Sequence, residues 1–295
     1  MLRLKLADRL NYVKSLAAPF RILLFLITLL ILWLPIAAPL YLTLGEPVGI
    51  HLTILLYCGF LALIWFWGRQ VSGYAQPYRH HGLIFSRQNG YELLLGWGLG
   101  SITLVFFYGL QWQLGWLAVQ TTNLGIPSSL LPILGIYFVD WQGAIAPGAL
   151  TAIGVGIAEE ILFRGWMLSE LEQDYSPRRS LIIASLIFAI LHFIKPLHVI
   201  LATWSQFAGL VVLAIVLILA RRRCHGRLGM SIGLHGGLVW GYYIVNTTHW
   251  FKPTGIVPEW ITGIGGNPVA GMVGIIFLTA IAIGLRPSKL SHEVR

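Results

Sequence analysis

The side chains most able to do chemistry in this chain are those that interrupt apolar sequence. Glu159, Glu160 and Arg164 lie within Gly154-Val155-Gly156-Ile157-Ala158-Glu159-Glu160-Ile161-Leu162-Phe163-Arg164-Gly165. In lipid such a group costs a few kcal/mol or more, which makes each one a candidate functional residue. Glu160 and Arg164 are four residues apart, so a helix sets them on one face where their charges can neutralise each other. Glu159 is turned about 100° from Glu160 and has no partner on its own helix. Desolvation then favours its taking up a proton, as a general base must. His192 closes Phe188-Ala189-Ile190-Leu191-His192, and His235 sits in Gly229-Met230-Ser231-Ile232-Gly233-Leu234-His235-Gly236-Gly237. Taken singly, His192 reads as a core histidine bonded to a backbone carbonyl. Taken with two acids and a second imidazole, it reads as part of a site. A carboxylate to deprotonate water and imidazoles to donate to a developing oxyanion are a set suited to amide hydrolysis.

The elements that carry these groups must be membrane helices. Of 295 residues, 57% are hydrophobic and only 11% charged, which excludes an ordinary water-soluble domain and makes lipid the solvent. Apolar runs fall near residues 22 to 44, 51 to 68, 92 to 119, 128 to 139, 147 to 168, 180 to 194, 199 to 220, 229 to 245 and 268 to 285. A helix needs about 20 apolar residues to cross about 30 Å of hydrocarbon. The run at 128 to 139 is too short and is bracketed by Pro127, Asp140 and Pro147, so it reads as an interfacial or re-entrant piece. The expected fold is therefore an all-α polytopic bundle of eight transmembrane helices.

Lysine and arginine positions orient that bundle, because cytoplasmic loops carry an excess of them. With the N-terminus inside, the inner segments hold the basic N-terminus, Arg69, Arg79, Arg87, Arg178, Arg179, the run from Arg221 to Arg227, and the basic C-terminal segment. Only Lys195 and Lys252 fall outside. Both termini are thus expected in the cytoplasm. The first apolar run is too long for a signal-peptide core and is expected to remain as an anchor. Three regions follow: 1–146 with N-terminal helices and loops, 147–245 with the candidate chemistry, and 246–295 with an outer loop and a last helix. The net charge of +9 reports basic inner loops, with membrane lipid as the partner and no nucleic acid. Cys58 and Cys224 are the only cysteines, too few for a disulfide framework or a zinc knuckle.

Glycines at 229, 233, 237 and 241 form a small-residue stripe on one helical face, suited to close approach by a neighbour. His235, about 200° round from Gly233, faces away from it. Measured along each helix from its cytoplasmic end, Glu159 lies roughly 14 Å in, His192 roughly 18 Å and His235 roughly 10 Å. Three helices thus bring a carboxylate and two imidazoles to similar depth.

At these residues the chain resembles the CPBP intramembrane proteases, also called the Abi family, which include the type II CAAX prenyl proteases. The family's E-E-x-x-x-R block reads Glu159-Glu160-Ile161-Leu162-Phe163-Arg164, its F-x-x-x-H block reads Phe188-Ala189-Ile190-Leu191-His192, and its histidine in a glycine-rich helix reads Leu234-His235-Gly236-Gly237. The resemblance covers about residues 147 to 245. It implies a glutamic-type endopeptidase in which Glu159 activates water, His192 and His235 position it or stabilise the oxyanion, and Glu160, Arg164 and Phe188 support the site. The implied substrate is a peptide or lipid-modified protein tail, with no metal and no cofactor. One position departs from the pattern: members commonly carry asparagine or a similar polar residue four positions after the third-block histidine, where this chain has Val239. The donor then comes from histidine alone or from another helix, or turnover has been lost. The residues also leave open a zinc-dependent hydrolase using Glu159, His192 and His235, and a non-catalytic scaffold or immunity-like protein of the same fold.

Overall fold

The computed structural model describes residues 2–120 and 144–286. The interfacial piece expected near residues 128 to 139 lies outside them. In chain order the helices are α1 (Leu2–Ser15), α2 (Ala18–Leu44), α3 (Gly49–Gln70), α4 (Pro77–His80), α5 (Arg87–Gln113), α6 (Ala146–Asp174), α7 (Pro177–His192), α8 (Leu197–Ala202), α9 (Gln206–Arg223), α10 (Gly229–Thr248), α11 (Glu259–Thr262) and α12 (Met272–Gly284). A short antiparallel pair joins β1 (Leu117–Val119) to β2 (Phe251–Pro253). The described protein is all-α apart from that ribbon.

Four of these segments are long and apolar enough to cross a membrane: Ala18–Leu44, Glu46–Gln70, Arg87–Gln113 and Ala146–Asp174. The first has 27 residues, a length of about 40 Å. Its Leu30, Ile31, Leu32 and Leu34 side chains are exposed while Arg21 is buried, the reverse of a helix in water and the arrangement lipid demands. These features make the chain an integral membrane protein. The other helices of the expected eight are weaker as spans for visible reasons. The α7 helix has 16 residues and begins Pro-Arg-Arg, α9 ends in Arg221, Arg222 and Arg223, α10 is diluted by glycine, and α12 has 13 residues.

Contacts divide the chain into two units. The first takes residues 1–84 and 158–184 and the second residues 85–157 and 185–295, so α6 and α7 each contribute to both. In the first unit an aromatic cluster holds α2, α3 and α6 together. Phe25 stacks on Trp166 with ring centroids 3.9 Å apart, and Trp67 meets both rings edge-on at 5.7 and 6.0 Å. Pro35 and Pro39 lie inside α2, where each removes a backbone donor. Lipid-embedded helices tolerate this when neighbours satisfy the freed groups.

In the second unit α5 and α10 approach almost backbone to backbone. A Cβ on Gly233 would fall 1.9 Å from the Leu93 carbonyl oxygen, and one on Gly237 would fall 2.4 Å from that of Trp97. From the facing helix, a Cβ on Gly96 would lie 2.3 Å from the Met230 oxygen, and one on Gly100 would lie 2.5 Å from that of Leu234. The stripe seen in α10 is thus one half of a reciprocal glycine interface, whose other half lies in α5. Its driving force in lipid is close packing, since the tails are as apolar as the side chains.

We expect Gly233→Ala to lower the apparent Tm and the folded yield in detergent, with overpacking costing about 1–3 kcal/mol, because its methyl group would strike a backbone carbonyl. Gly98→Ala, where a Cβ meets nothing within 4 Å, stays within about 0.5 kcal/mol of the parent. Thermal scanning by fluorescence-detected size exclusion checks both.

Candidate functional site

The first unit holds the two glutamates. The α6 helix is α-helical through Glu159, turns to π-helical geometry over Glu160–Met167, and resumes as α-helix over Leu168–Asp174. The pattern of this segment predicts an unbroken α-helix, so the π turn is a correction. All eight of its residues are buried, and it packs against α3 and the residues near α4. A Cβ on Gly165 would lie 3.2 Å from both Cβ and the carbonyl oxygen of His81, so glycine lets this wide turn seat there. π turns inside α-helices recur at functional sites.

Arg164 donates from Nη1 to Glu160 Oε1 at 3.0 Å, and the two side chains are 1% and 0% exposed. The four-residue spacing therefore closes as expected, and the guanidinium also lies 5.8 Å from the Phe163 ring centroid. Glu159 is partly buried and is met from a different helix. The Tyr57 hydroxyl of α3 donates to its Oε1 at 2.8 Å. Nothing in the spacing around Glu159 identifies Tyr57, which lies 102 residues earlier.

A second ion cluster of this unit is also absent from the motif pattern. Arg21 Nε donates to Glu170 Oε2 at 2.6 Å and its Nη2 to the Glu170 carbonyl at 3.1 Å, with Asp174 at 3.4 Å. Arg21 stands at the edge of the first apolar run and Glu170 just beyond the fifth, so both read as flanking charges in sequence although both are buried. This cluster ties α2 to the end of α6.

The second unit holds the histidines. His192 Nδ1 lies 2.8 Å from the Phe188 carbonyl oxygen, and the two rings pack with centroids 4.2 Å apart. A carbonyl only accepts, so Nδ1 carries a proton in this contact. The Phe188 block thus fixes the tautomer of His192. His235 is buried and lines a cavity of about 130 Å³ with Thr103, Val239, Tyr242 and Asn267 among its walls. Val239 does reach this cavity, as its helical register requires, and it brings no donor. Asn267 does bring one. Its Oδ1 accepts from the Val269 N–H at 3.1 Å, which leaves the amide nitrogen as donor. Trp240 is committed elsewhere, its Nε1 donating to the Ile145 carbonyl at 3.0 Å.

The turn between α9 and α10 contains Cys224, a buried thiol 3.7 Å from the Met230 sulfur. Burial, with the Glu92 carboxylate next in effect, pushes this thiol up to about 11, so it is protonated at neutral pH and unsuited to nucleophilic work. Arg227 donates from Nε to Glu92 Oε2 at 3.0 Å and from Nη2 to Glu92 Oε1, closing the same turn onto α5. Among the described residues no group of three or more His, Cys, Asp or Glu side chains is placed to hold a metal ion. The zinc alternative therefore gains no support.

The class is thus an all-α integral membrane protein with buried carboxylates and histidines on separate helices. Residues 141–245 match the family model of the type II CAAX prenyl endopeptidases, Rce1-like, in line with the resemblance of the three sequence blocks. No curated protein and no solved structure matches the chain.

Glu160→Gln removes the charged partner that Arg164 hydrogen-bonds inside the protein, and we expect it to destabilise the protein by about 3–5 kcal/mol. The double replacement Glu160→Leu with Arg164→Met removes both charges and recovers most of that loss. Thermal unfolding in detergent distinguishes the two, and equal losses would show that the pair is not what sets stability here.

Proposed function

We propose that this protein is a glutamic-type intramembrane endopeptidase that hydrolyses a peptide bond in a membrane-associated or prenylated, CAAX-like protein tail. The observation that carries the proposal is the family match over residues 141–245, which contains all three blocks. In this reading Glu159 takes a proton from water as the water oxygen attacks the scissile carbonyl. His192 accepts a hydrogen bond from the water, His235 donates to the oxyanion, and the proton passes to the leaving amine as the C–N bond breaks. Glu160 and Arg164 support the base as a neutralised pair, and Phe188 holds His192 in one tautomer. The geometry within each unit supports these roles: a hydrogen-bonded carboxylate on α6, a tautomer-fixed imidazole on α7, and a cavity at His235 with an amide donor at Asn267. The amide donor answers the departure at Val239, and it favours turnover over an inactive scaffold.

We further propose eight membrane spans with both termini cytoplasmic, residues 147–245 forming the catalytic core. The basic segments support this orientation, since one span more or fewer would send the later ones to the outer side. A reporter fused to the C-terminus should be active only when it is of a kind that works in the cytoplasm.

Purified protein in proteoliposomes is expected to cut a quenched, farnesylated CAAX-type peptide. Glu159→Gln, His192→Ala and His235→Ala should each lower the rate at least about 10³-fold, the scale of losing a base or an oxyanion donor, with unchanged monodisperse yield. Retained cleavage by Glu159→Gln would exclude the mechanism.

A further inference from the structure

The Tyr57–Glu159 hydrogen bond joins two helices of the same unit, and neither sequence block predicts it. Tyr57 lies about 12 Å along α3 from Gly49, within apolar sequence. A phenol there needs a partner for its hydroxyl, because lipid offers none. The ring packs on Phe60 with centroids 5.3 Å apart, which leaves the aromatic body held by α3 and the hydroxyl directed at the carboxylate. The bond has a fixed direction. A carboxylate accepts only, so the Tyr57 proton points at Glu159 Oε1.

We propose that Tyr57 is a positioning residue for the hydrolytic reaction, anchoring one oxygen of Glu159 so that the other faces the water it deprotonates. This rests on the reading of Glu159 as the general base. Glutamate has three side-chain torsions, the last of them broad, whereas a tyrosine locked by its ring has little freedom to lose. One short bond from a rigid donor therefore removes most of the rotation of the carboxylate plane. In this unit the ionisable groups around Glu159 are Glu160 beside it in the chain, Arg164 further along α6, and Tyr57 from α3. Arg164 donates to Glu160 at 3.0 Å and its charge also acts on Glu159, so the phenol is the donor that comes from a second helix. Through the reaction Tyr57 keeps its own proton. The proton that moves comes from water to the second Glu159 oxygen and then to the leaving amine. Since its hydrogen is directed at the carboxylate, the phenol serves the base and not the oxyanion.

The test uses the full chain in proteoliposomes with the quenched farnesylated CAAX-type peptide, rates being taken per monodisperse protein. Tyr57→Phe keeps the ring and removes only the hydroxyl. We expect its kcat to fall about 10- to 100-fold, the range for one hydrogen bond to a charged group, with KM within about twofold. Tyr57→Gln supplies a donor without the ring. It should exceed Tyr57→Phe in kcat if the bond to Glu159 is what counts and fall below it if ring packing is. Wild-type kcat in Tyr57→Phe beside an inactive Glu159→Gln overturns this inference and leaves the glutamate mechanism standing. A peptide left intact by the wild type, or cut by Glu159→Gln at the wild-type rate, overturns both.

Discussion

A charge placed in hydrocarbon has to be neutralised by something the chain itself provides, and the pair Glu160–Arg164 is where this protein meets that demand most fully. Both groups are shut away from solvent, so their mutual attraction is weakly screened and each would be several kcal/mol worse off alone. The pair also fixes a segment. With the guanidinium tied one turn back along α6, Phe163, Arg164 and Trp166 are directed into the first unit. There Trp166 becomes the surface on which Phe25 stacks and Trp67 leans. Helices α2 and α3 are thereby referred to the same few residues that carry the acidic motif.

Close packing fulfils the corresponding role in the second unit. Lipid gives no hydrophobic reward for bringing two apolar helices together, so α5 and α10 hold through contact between backbones, which glycine alone allows. His235 is carried on α10, and its position follows from that interface. A helix whose glycine face is locked against α5 presents the remaining positions, His235 and Val239 among them, to the cavity shared with Asn267. Arg227 and Glu92 pin the start of α10 to the start of α5, so the register of the glycine contacts is set from the end.

Much of this is legible in the order of residues. The lipid solvent follows from composition, the ion pair from a spacing of four, and the glycine face from a period of four. The resemblance over residues 141–245 follows from three blocks whose separation fits one family. What escapes has a common cause. Tyr57, Asn267 and the Arg21–Glu170 cluster act across sequence separations that no local period encodes, and each is of a residue type that is unremarked where it stands. The π turn escapes for another reason, since a change from four- to five-residue hydrogen bonding leaves no mark in an apolar pattern. Span counting is blurred where arginine or glycine interrupts a helix that packs well, because the side chains that close a turn or admit a neighbour also lower its hydropathy.

Two neighbouring glutamates can have unlike functions only if their surroundings differ, and here the difference arises at a single peptide bond. Glu159 ends α-helical geometry and Glu160 begins the π turn. The two side chains leave the helix toward different neighbours. Glu160 accepts from the Arg164 guanidinium one turn along its own helix. Glu159 accepts from the Tyr57 phenol, which gives the group a direction from a second helix. In the proposed chemistry the motif's second glutamate supports the fold and the first acts on water. For this reason the adjacent pair works as a unit, which two acids separated along the chain could not do without a second buried cation.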